Sequence, residues 1–422
     1  MKFLLGTAAH NQHVQQIALA LHEAGVLGAY YTTGVDHYRR ASAQTVRRLL
    51  AVLTPALDRQ LQRRRIVTVP DELVHADWLW ELPRTLAAQL RLDARIQDWF
   101  WERSDHRLDD RCARLLTGEE FDGFFGVEHG ALATLRMARE RGKKGVVAFL
   151  SPHHAMREQW VDREYEKFPE LFTPATRSLL RQATARDARR DEEARVADAI
   201  LTASATTRDS LVASGIPLGK IITVPLGSPP ALPETALPVT LAQPLQVLSV
   251  GSLSVPKGSH YLFQAWRTLG PAVSAELHCY GAVLLPERVL PPRGGRIVFH
   301  GSMPQAAVFA AYQRAAVLVF PTLYDGFGSV VAEALAHGLP VMTTRNAGAA
   351  ELITEGVNGF LIPAGDPQAL SERLAWCLEH PRELLAMRHA ALATARHWTW
   401  THFRGELRRQ LGTVLNLPQV FG

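Results

Sequence analysis

Residues 321–342 read PTLYDGFGSVVAEALAHGLPVM, and they follow the apolar run VLVF at 317–320. An apolar run of strand length, a loop holding two glycines and then a small-residue helix pattern make a strand–loop–helix unit. Gly326 and Gly328 let main chain come close to a ligand. A helix starting near Gly328 directs its free N–H groups and the positive end of its dipole into the loop. That is an anion site, and phosphate is its usual guest. Glu333 lies one turn beyond Ser329, on a flank with Ser329, Ala332 and Ala336, while Val330, Val331 and Leu335 point to a core. Small neighbours leave room there for a ligand, whose vicinal hydroxyls, such as those of a ribose, a carboxylate can accept. Asp325, in the loop, is placed to hold a second polyol. Singly, Asp325 reads as a helix cap and Glu333 as a surface acid; the spacing and the glycines together favour a site.

Outward from this unit, strands alternate with helices. KFLLGTA, LGAYYTTG, FDGFFGV, GVVAFL, ADAILTAS and KIITVPLG are strand-like in the first half, and QVLSVGSL, AELHCYG, RIVFHG, VLVFPT and LPVMTT in the second. Such alternation predicts parallel sheets covered on both faces. The proline-rich stretch SPPALPETALPVTLAQPL between the two runs has no period and reads as a linker. The expectation is two facing doubly wound domains, residues 1–228 and 245–395, joined through 229–244, with a closing helix at 396–422. Ligands of such sheets sit at the carboxyl ends of strands, here the cleft between domains.

The chain of 422 residues is too long for one core, and 47% apolar with 21% charged residues is ordinary for a folded protein. Cys112, Cys279 and Cys377 form no CxxC pair, which argues against a disulfide framework or zinc site and for a reducing compartment. His10, Asn11 and Gln12 interrupt the opening apolar run too early for a signal peptide, and no window reads as a membrane span. The expectation is a cytoplasmic protein, peripheral on the inner face of a membrane. The net charge of +5 is unevenly spread: Arg39, Arg40, Arg47, Arg48, Arg59, Arg63, Arg64 and Arg65 face one acid, Asp58. TVRRLLAVLTPALDRQLQRRR (45–65) reads as a basic amphipathic helix pair broken at Pro55. It suits either docking on anionic lipid or a solvated face over a core. Aromatic interleaving is missing, so nucleic acid is not expected. HExxH, GxSxG and Walker patterns are also missing, and no bound metal is expected.

With the loop, "HGLPV" and AGAAELITEGVNGFLIPAGDPQALSERLAWCLEHP (347–381, including Gly359 and Asp366) in view, the chain resembles the retaining glycosyltransferases of family 4 (group 1), which have the GT-B fold of two Rossmann-like domains. The resemblance is specific over residues 245–400 and thinner before them. It implies that Glu333 binds the ribose of a nucleotide sugar, that the amides of Gly326, Phe327, Gly328 and Ser329 hold its distal phosphate, and that Asp325 accepts from the sugar. Asp325 stands where the family has glutamate, shorter by one methylene or about 1.5 Å. VGSLSVPKGSHYLFQAW (250–266) resembles the diphosphate clamp, with Gly251, Lys257 and, in place of the usual arginine, Ser252. Gly281 resembles a nucleotide-facing turn. No cofactor beyond the donor is implied.

In the first domain the family's glycine-rich loop reduces to Gly6, leaving His10 and His13 as acceptor-side candidates. Glu128, His129 and His153 stand at other strand ends. The family's histidine facing the donor falls at His153 or His154; the offset from the strand favours His154, and a helix-capping histidine is the alternative. Asp191, Glu192 and Glu193 read as structural or solvated. The resemblance therefore implies transfer of a hexose from a UDP- or GDP-linked donor to a glycan, lipid-linked or other membrane-proximal acceptor. A nucleotide-sugar epimerase on the same fold and a non-catalytic nucleotide-sugar-binding protein are the rival readings.

Overall fold

The computed structural model describes residues 1–37, 64–90, 92–270, 273–292 and 296–421. Arg39, Arg40, Arg47, Arg48, Arg59 and Arg63, and with them the expected helix pair, lie outside the described residues.

The first strands are β1 (Phe3–Gly6), β2 (Leu27–Thr33), β3 (Val74–Asp77), β4 (Gly123–Val127), β5 (Lys144–Phe149), β6 (Ala199–Thr202) and β7 (Ile221–Thr223). They form a 7-stranded sheet in the order β3-β2-β1-β4-β5-β6-β7. β8 (Leu245–Val250), β9 (Ala275–Tyr280), β10 (Ile297–Gly301), β11 (Val317–Phe320), β12 (Val341–Thr344) and β13 (Gly359–Ile362) form a 6-stranded sheet in the order β10-β9-β8-β11-β12-β13. All the pairings within both sheets are parallel. The expected doubly wound architecture is therefore the one observed. β1, β6, β11 and β12 are buried along their whole length, as strands covered on both faces must be.

The longer helices are α1 (Gln12–Glu23), α2 (Glu81–Gln89), α3 (Ala94–Leu116), α4 (Leu132–Glu140), α5 (Pro174–Val196), α6 (Ala205–Ala213), α7 (Ser259–Thr268), α8 (Gln305–Arg314), α9 (Ser329–Ala336), α10 (Pro367–Glu379), α11 (Pro381–His397) and α12 (Trp400–Val414). In each sheet the strand order reverses once, between β1 and β4 and between β8 and β11. The connections diverge at those points and open a crevice at the carboxyl ends of the strands.

Several contacts tie the two halves together. Ser204, which caps α6, donates from its hydroxyl to the carbonyl of Gly326 at 2.6 Å. Glu351 accepts from the Ala205 N–H at 2.7 Å. Glu164 accepts from the Tyr261 hydroxyl at 2.9 Å and pairs with His260 Nε2 at the same distance. Between β7 and β8 the chain lies on the second half, with Leu232 N–H on the Ala336 carbonyl at 2.9 Å. α12 returns to α1, where Arg404 meets Glu23 at 2.9 Å and Gln16 at 2.7 Å. Among the described residues no helix is long and apolar enough to cross a membrane.

Candidate functional site

The loop between β11 and α9 is stitched to the loop after β12. Asp325 N–H donates to the Asn346 carbonyl at 3.1 Å, Gly348 N–H to the Asp325 carbonyl at 3.0 Å and Ala349 N–H to the Phe327 carbonyl at 2.6 Å. Asn346 adds a side-chain bond to the Leu323 carbonyl at 2.7 Å. Asp325 is held twice over: its Oδ1 accepts from the Phe327 N–H at 3.0 Å, and its Oδ2 forms an ion pair with Lys257 Nζ. Lys257 also sits 5.4 Å above the Phe320 ring, a cation–π distance. The pair is partly exposed, Lys257 by 29% and Asp325 by 16%, so it faces the crevice and not the core. Two residues 68 positions apart thus form one charged unit at the carboxyl ends of β8 and β11.

The glycines divide by cause. Gly328 caps α9 in the left-handed region at φ 83°, and Gly258 caps α7 at φ 64°. A Cβ on Gly258 would lie 2.0 Å from the Pro321 carbonyl oxygen, so the two loops that carry Lys257 and Asp325 touch through main chain. The Phe327 amide is already committed to Asp325, and the Gly326 carbonyl to Ser204 and, at 3.3 Å, Thr207. Val331 N–H of the first turn of α9 donates to the Gly328 carbonyl at 2.9 Å, so an anion entering the site meets the Ser329 and Val330 N–H groups at the helix start. Gly251 and Gly281 are neighbours: a Cβ on Gly281 would lie 1.9 Å from the Gly251 carbonyl oxygen. Ser252 Oγ lies 3.3 Å from Ser254 Oγ. Beyond Gly281, a cavity of about 500 Å³ opens at the ends of β9 and β10, lined by Val283, Phe299, His300 and Gly301.

The flank around Glu333 is less open than expected. Ala332 and Ala336 are buried along with Val331 and Leu335, which leaves exposed Ser329 and half-buried Val330 and Glu333 as the open side of α9. The Glu333 carboxylate accepts a hydrogen bond from the Tyr312 hydroxyl of α8 at 3.1 Å. Burial pushes its pKa up, against the pull of Tyr312 and Gln305. Tyr312 was not singled out in the sequence: it reads as one more apolar-face residue of α8, and only packing aims its hydroxyl at α9.

The first-domain candidates have other work. A Cβ on Gly6 would lie 2.7 Å from Cys112 Sγ, so this glycine lets α3 pack closely. His10 and His13 are held near pKa 4 by burial, His10 with help from Arg64, so both are neutral imidazoles. Glu128 accepts from the Leu150 and Ser151 N–H groups at 3.0 and 2.9 Å and from Arg190 at 2.8 Å, fixing the chain that leaves β5. His129 stacks on Trp101 at 4.6 Å, at φ 80°, and burial lowers its pKa to about 3. Both His153 and His154 turn onto Asp191 of α5, at 3.0 and 3.3 Å, and neither joins the Lys257–Asp325 unit. From the first half, Leu150, Ser151, Ser204 and Thr207 meet the loop at 325–328. Glu193, read as structural, accepts from the His129 and Ala131 N–H groups at 2.5 and 2.9 Å.

Two facing parallel sheets of this order, with a helix-start loop and a lysine–aspartate unit in the crevice, define the GT-B class. Residues 244–380 match the model of the family described as glycosyl transferases group 1. Over those residues the second half of this GT-B chain is similar to group 1 glycosyl transferases. A D-inositol 3-phosphate glycosyltransferase of Corynebacterium urealyticum is 29% identical over 185 residues, covering 40% of this chain and 43% of that protein. The amylovoran biosynthesis glycosyltransferase AmsK of Erwinia amylovora is 30% identical over 184 residues, covering 41% of this chain and 45% of its own. Each match takes in less than half of the relative's length. The Anabaena protein Alr3699/HepE, solved in complex with UDP, shares the fold with a TM-score of 0.58 and 17% identity, over 98% of this chain and 100% of that one.

Proposed function

We propose that the protein is a retaining glycosyltransferase that moves a sugar from a nucleotide-diphosphate sugar to a glycan or lipid-linked acceptor. One observation carries the reading: Lys257, Asp325 and the first turn of α9 converge at the strand-order reversal of the second sheet, one helical turn from Glu333. A diphosphate set against that turn has N–H groups and a lysine ammonium around the oxygens on which charge grows as the bond to the sugar C1 breaks. The acceptor oxygen forms its bond to C1 on the same face, and its proton passes to the departing phosphate oxygen. Entry of the sugar exchanges the Lys257–Asp325 contact for lysine–phosphate and carboxylate–hydroxyl contacts, so charge is not left uncompensated. Glu333, partnered by Tyr312, takes the ribose hydroxyls, and the base lies toward the ends of β9 and β10. No further cofactor enters this scheme. UDP, the ligand named for the Anabaena protein of like fold, makes UDP-sugars the first donors to try.

The acceptor is proposed to lie at a membrane surface, with the protein peripheral on it. Leu79, Leu82, Leu86 and Leu90 follow one face of α2 and its ends, Leu92 precedes α3, and Ile96 and Trp99 lie in its first turns, all between 39% and 70% exposed. Arg103 stacks on Trp99 at 5.0 Å. Arg64 and Arg65 are not free to serve such a surface: Arg64 pairs with buried Glu81 and Arg65 with Asp36 at 2.9 Å. The apolar row, not these two arginines, is therefore the part to alter.

The test is turnover with a panel of UDP- and GDP-sugars and purified lipid-linked glycans, with the product anomer read by NMR. An inverted anomer overturns the retaining mechanism. Interconversion of the donor alone identifies an epimerase, and binding without turnover identifies a sensor. For the surface, flotation with anionic vesicles should weaken on L82S/L86S/L90S; unchanged flotation rejects it.

A further inference from the structure

We propose that His153, His154 and Asp191 form a binding site for a divalent ion of the zinc type, on the first domain and separate from the Lys257–Asp325 crevice. His153 and His154 bracket the start of the helical segment 154–167, and Asp191 comes from α5. His153 Nε2 lies 3.0 Å from Asp191 Oδ1, and His154 Nε2 lies 3.3 Å from Asp191 Oδ2. One ligand atom from each of the three residues can be chosen so that all lie within 4.8 Å of one another. Zinc bonds of about 2.0–2.1 Å in a tetrahedron put neighbouring ligand atoms about 3.3 Å apart, against 3.0 and 3.3 Å for the two histidine–carboxylate contacts and at most 4.8 Å across the set. The set is two imidazoles and one carboxylate, ligands suited to zinc-class ions. A recess of about 300 Å³, lined also by Ala194, Arg195, Ser214 and Ile216, gives water access to the remaining coordination position.

The hydrogen-bond pattern around His154 asks for a cation. Its Nδ1 faces Glu158 Oε1 at 3.1 Å while its Nε2 faces Asp191. A neutral imidazole has one donor and one acceptor, so it can satisfy only one of two carboxylates. A metal between Nε2 and Asp191 satisfies both nitrogens, with Nδ1–H donated to Glu158 in the carboxylate–histidine–metal arrangement. The metal-free alternative is an imidazolium bridging the two acids. At His153, Nδ1 receives the Ala155 N–H at 3.2 Å. Coordination through Nε2 moves that ring's proton to Nδ1 and releases the Ala155 contact, while the two histidine–Asp191 hydrogen bonds are replaced by bonds to the metal. Arg195, 4.0 Å from Asp191 and 66% exposed, has water to turn to. The main chain is anchored meanwhile by His153 N–H on Ser210 Oγ at 2.9 Å. Because 154–167 carries Glu164 to His260 and Tyr261 of α7, the ion would fix the root of a tie between the two halves.

The experiment is calorimetric titration of the chelator-stripped full chain with ZnCl₂, alongside the visible spectrum with Co²⁺. One-site binding with intense tetrahedral cobalt bands is expected, weakened about 100-fold or more by Asp191→Asn or His154→Asn. Glu158→Gln, at a half-exposed position that leaves the ligands intact, is expected to weaken it about 10–100-fold. Failure to bind, or the same affinity in all three variants, overturns the site and leaves the imidazolium bridge. If His154→Asn does not fold, the Glu158→Gln titration and the cobalt spectrum of the parent decide.

Discussion

A Cβ built on Gly326 would lie 1.8 Å from the carbonyl oxygen of Leu150, so the loop after β11 rests directly on the main chain that leaves β5. The glycine required at this position is set by the other half of the chain as much as by a ligand. Ser204 and Thr207 grip the Gly326 carbonyl on the same side, at 2.6 and 3.3 Å. The loop that carries Asp325 is therefore held by the first domain, so the site and the contact between the two halves share one segment.

Gly326→Ala should separate the two halves without unfolding either. Small-to-large changes against packed main chain cost about 1–3 kcal/mol, and here the strain is relieved by opening. Small-angle scattering should show a larger radius of gyration, and nucleotide-sugar affinity should fall. An unchanged radius with unchanged affinity rejects the contact.

Lys257→Gln leaves Asp325 with the Phe327 N–H and no ammonium. On the proposed chemistry the loss falls on the transition state, where the leaving diphosphate gains charge. Turnover should drop about 10²–10³-fold, the range for removing one preorganised charge-stabilising group, with a smaller change in KM. A KM effect with kcat intact would make Lys257 a binding group only.

Glu333→Gln separates ligand binding from stability. Burial raises the Glu333 pKa above its ordinary value of 4.5. A carboxyl with a raised folded pKa costs stability where it must ionise, and the cost fades as pH falls through the folded value to the unfolded one. The amide should therefore unfold no earlier than the parent at neutral pH and lose that margin below about pH 4.5. Affinity for the nucleotide sugar should nevertheless fall about 10–100-fold, the worth of one or two hydrogen bonds to a charged acceptor. Thermal melts across pH and calorimetry with donor check both arms.

Asp105 is a buried acid of α3 whose pKa is pushed up to about 7 by burial, partly offset by Arg84. Its ordinary value is 3.8, so the penalty is full above about pH 7 and gone below 3.8. Asp105→Asn should stabilise the protein relative to the parent at alkaline pH, by a few kcal/mol at most, and the gain should vanish on acidification. Denaturant melts at both ends measure it; a pH-independent difference would locate the effect in packing.

The alternation of strands and helices and the DGFG loop were legible because each rests on local pattern: buried parallel strands are mostly apolar, and a helix start needs its glycine. Lys257 and Asp325 were also named from local motifs, although their pairing was not visible. The first-domain candidates fared differently. Glu128, His129, His153 and His154 all sit at strand ends, as read, but each side chain turns to an arginine, a tryptophan or Asp191. A strand end fixes where a residue begins and not where its side chain points, since rotamer and partner come from elements far along the chain.

By itself the sequence determined the two-sheet architecture and the helix-start loop, because hydrophobic period and backbone-permissive glycines act over a few residues. Only the tertiary structure decided that Ser204 and Leu150 clasp that loop, that Tyr312 partners Glu333, and that two histidines share Asp191. Those are contacts between groups tens to more than a hundred residues apart, made when apolar faces are buried and the remaining polar groups must find partners where packing leaves them.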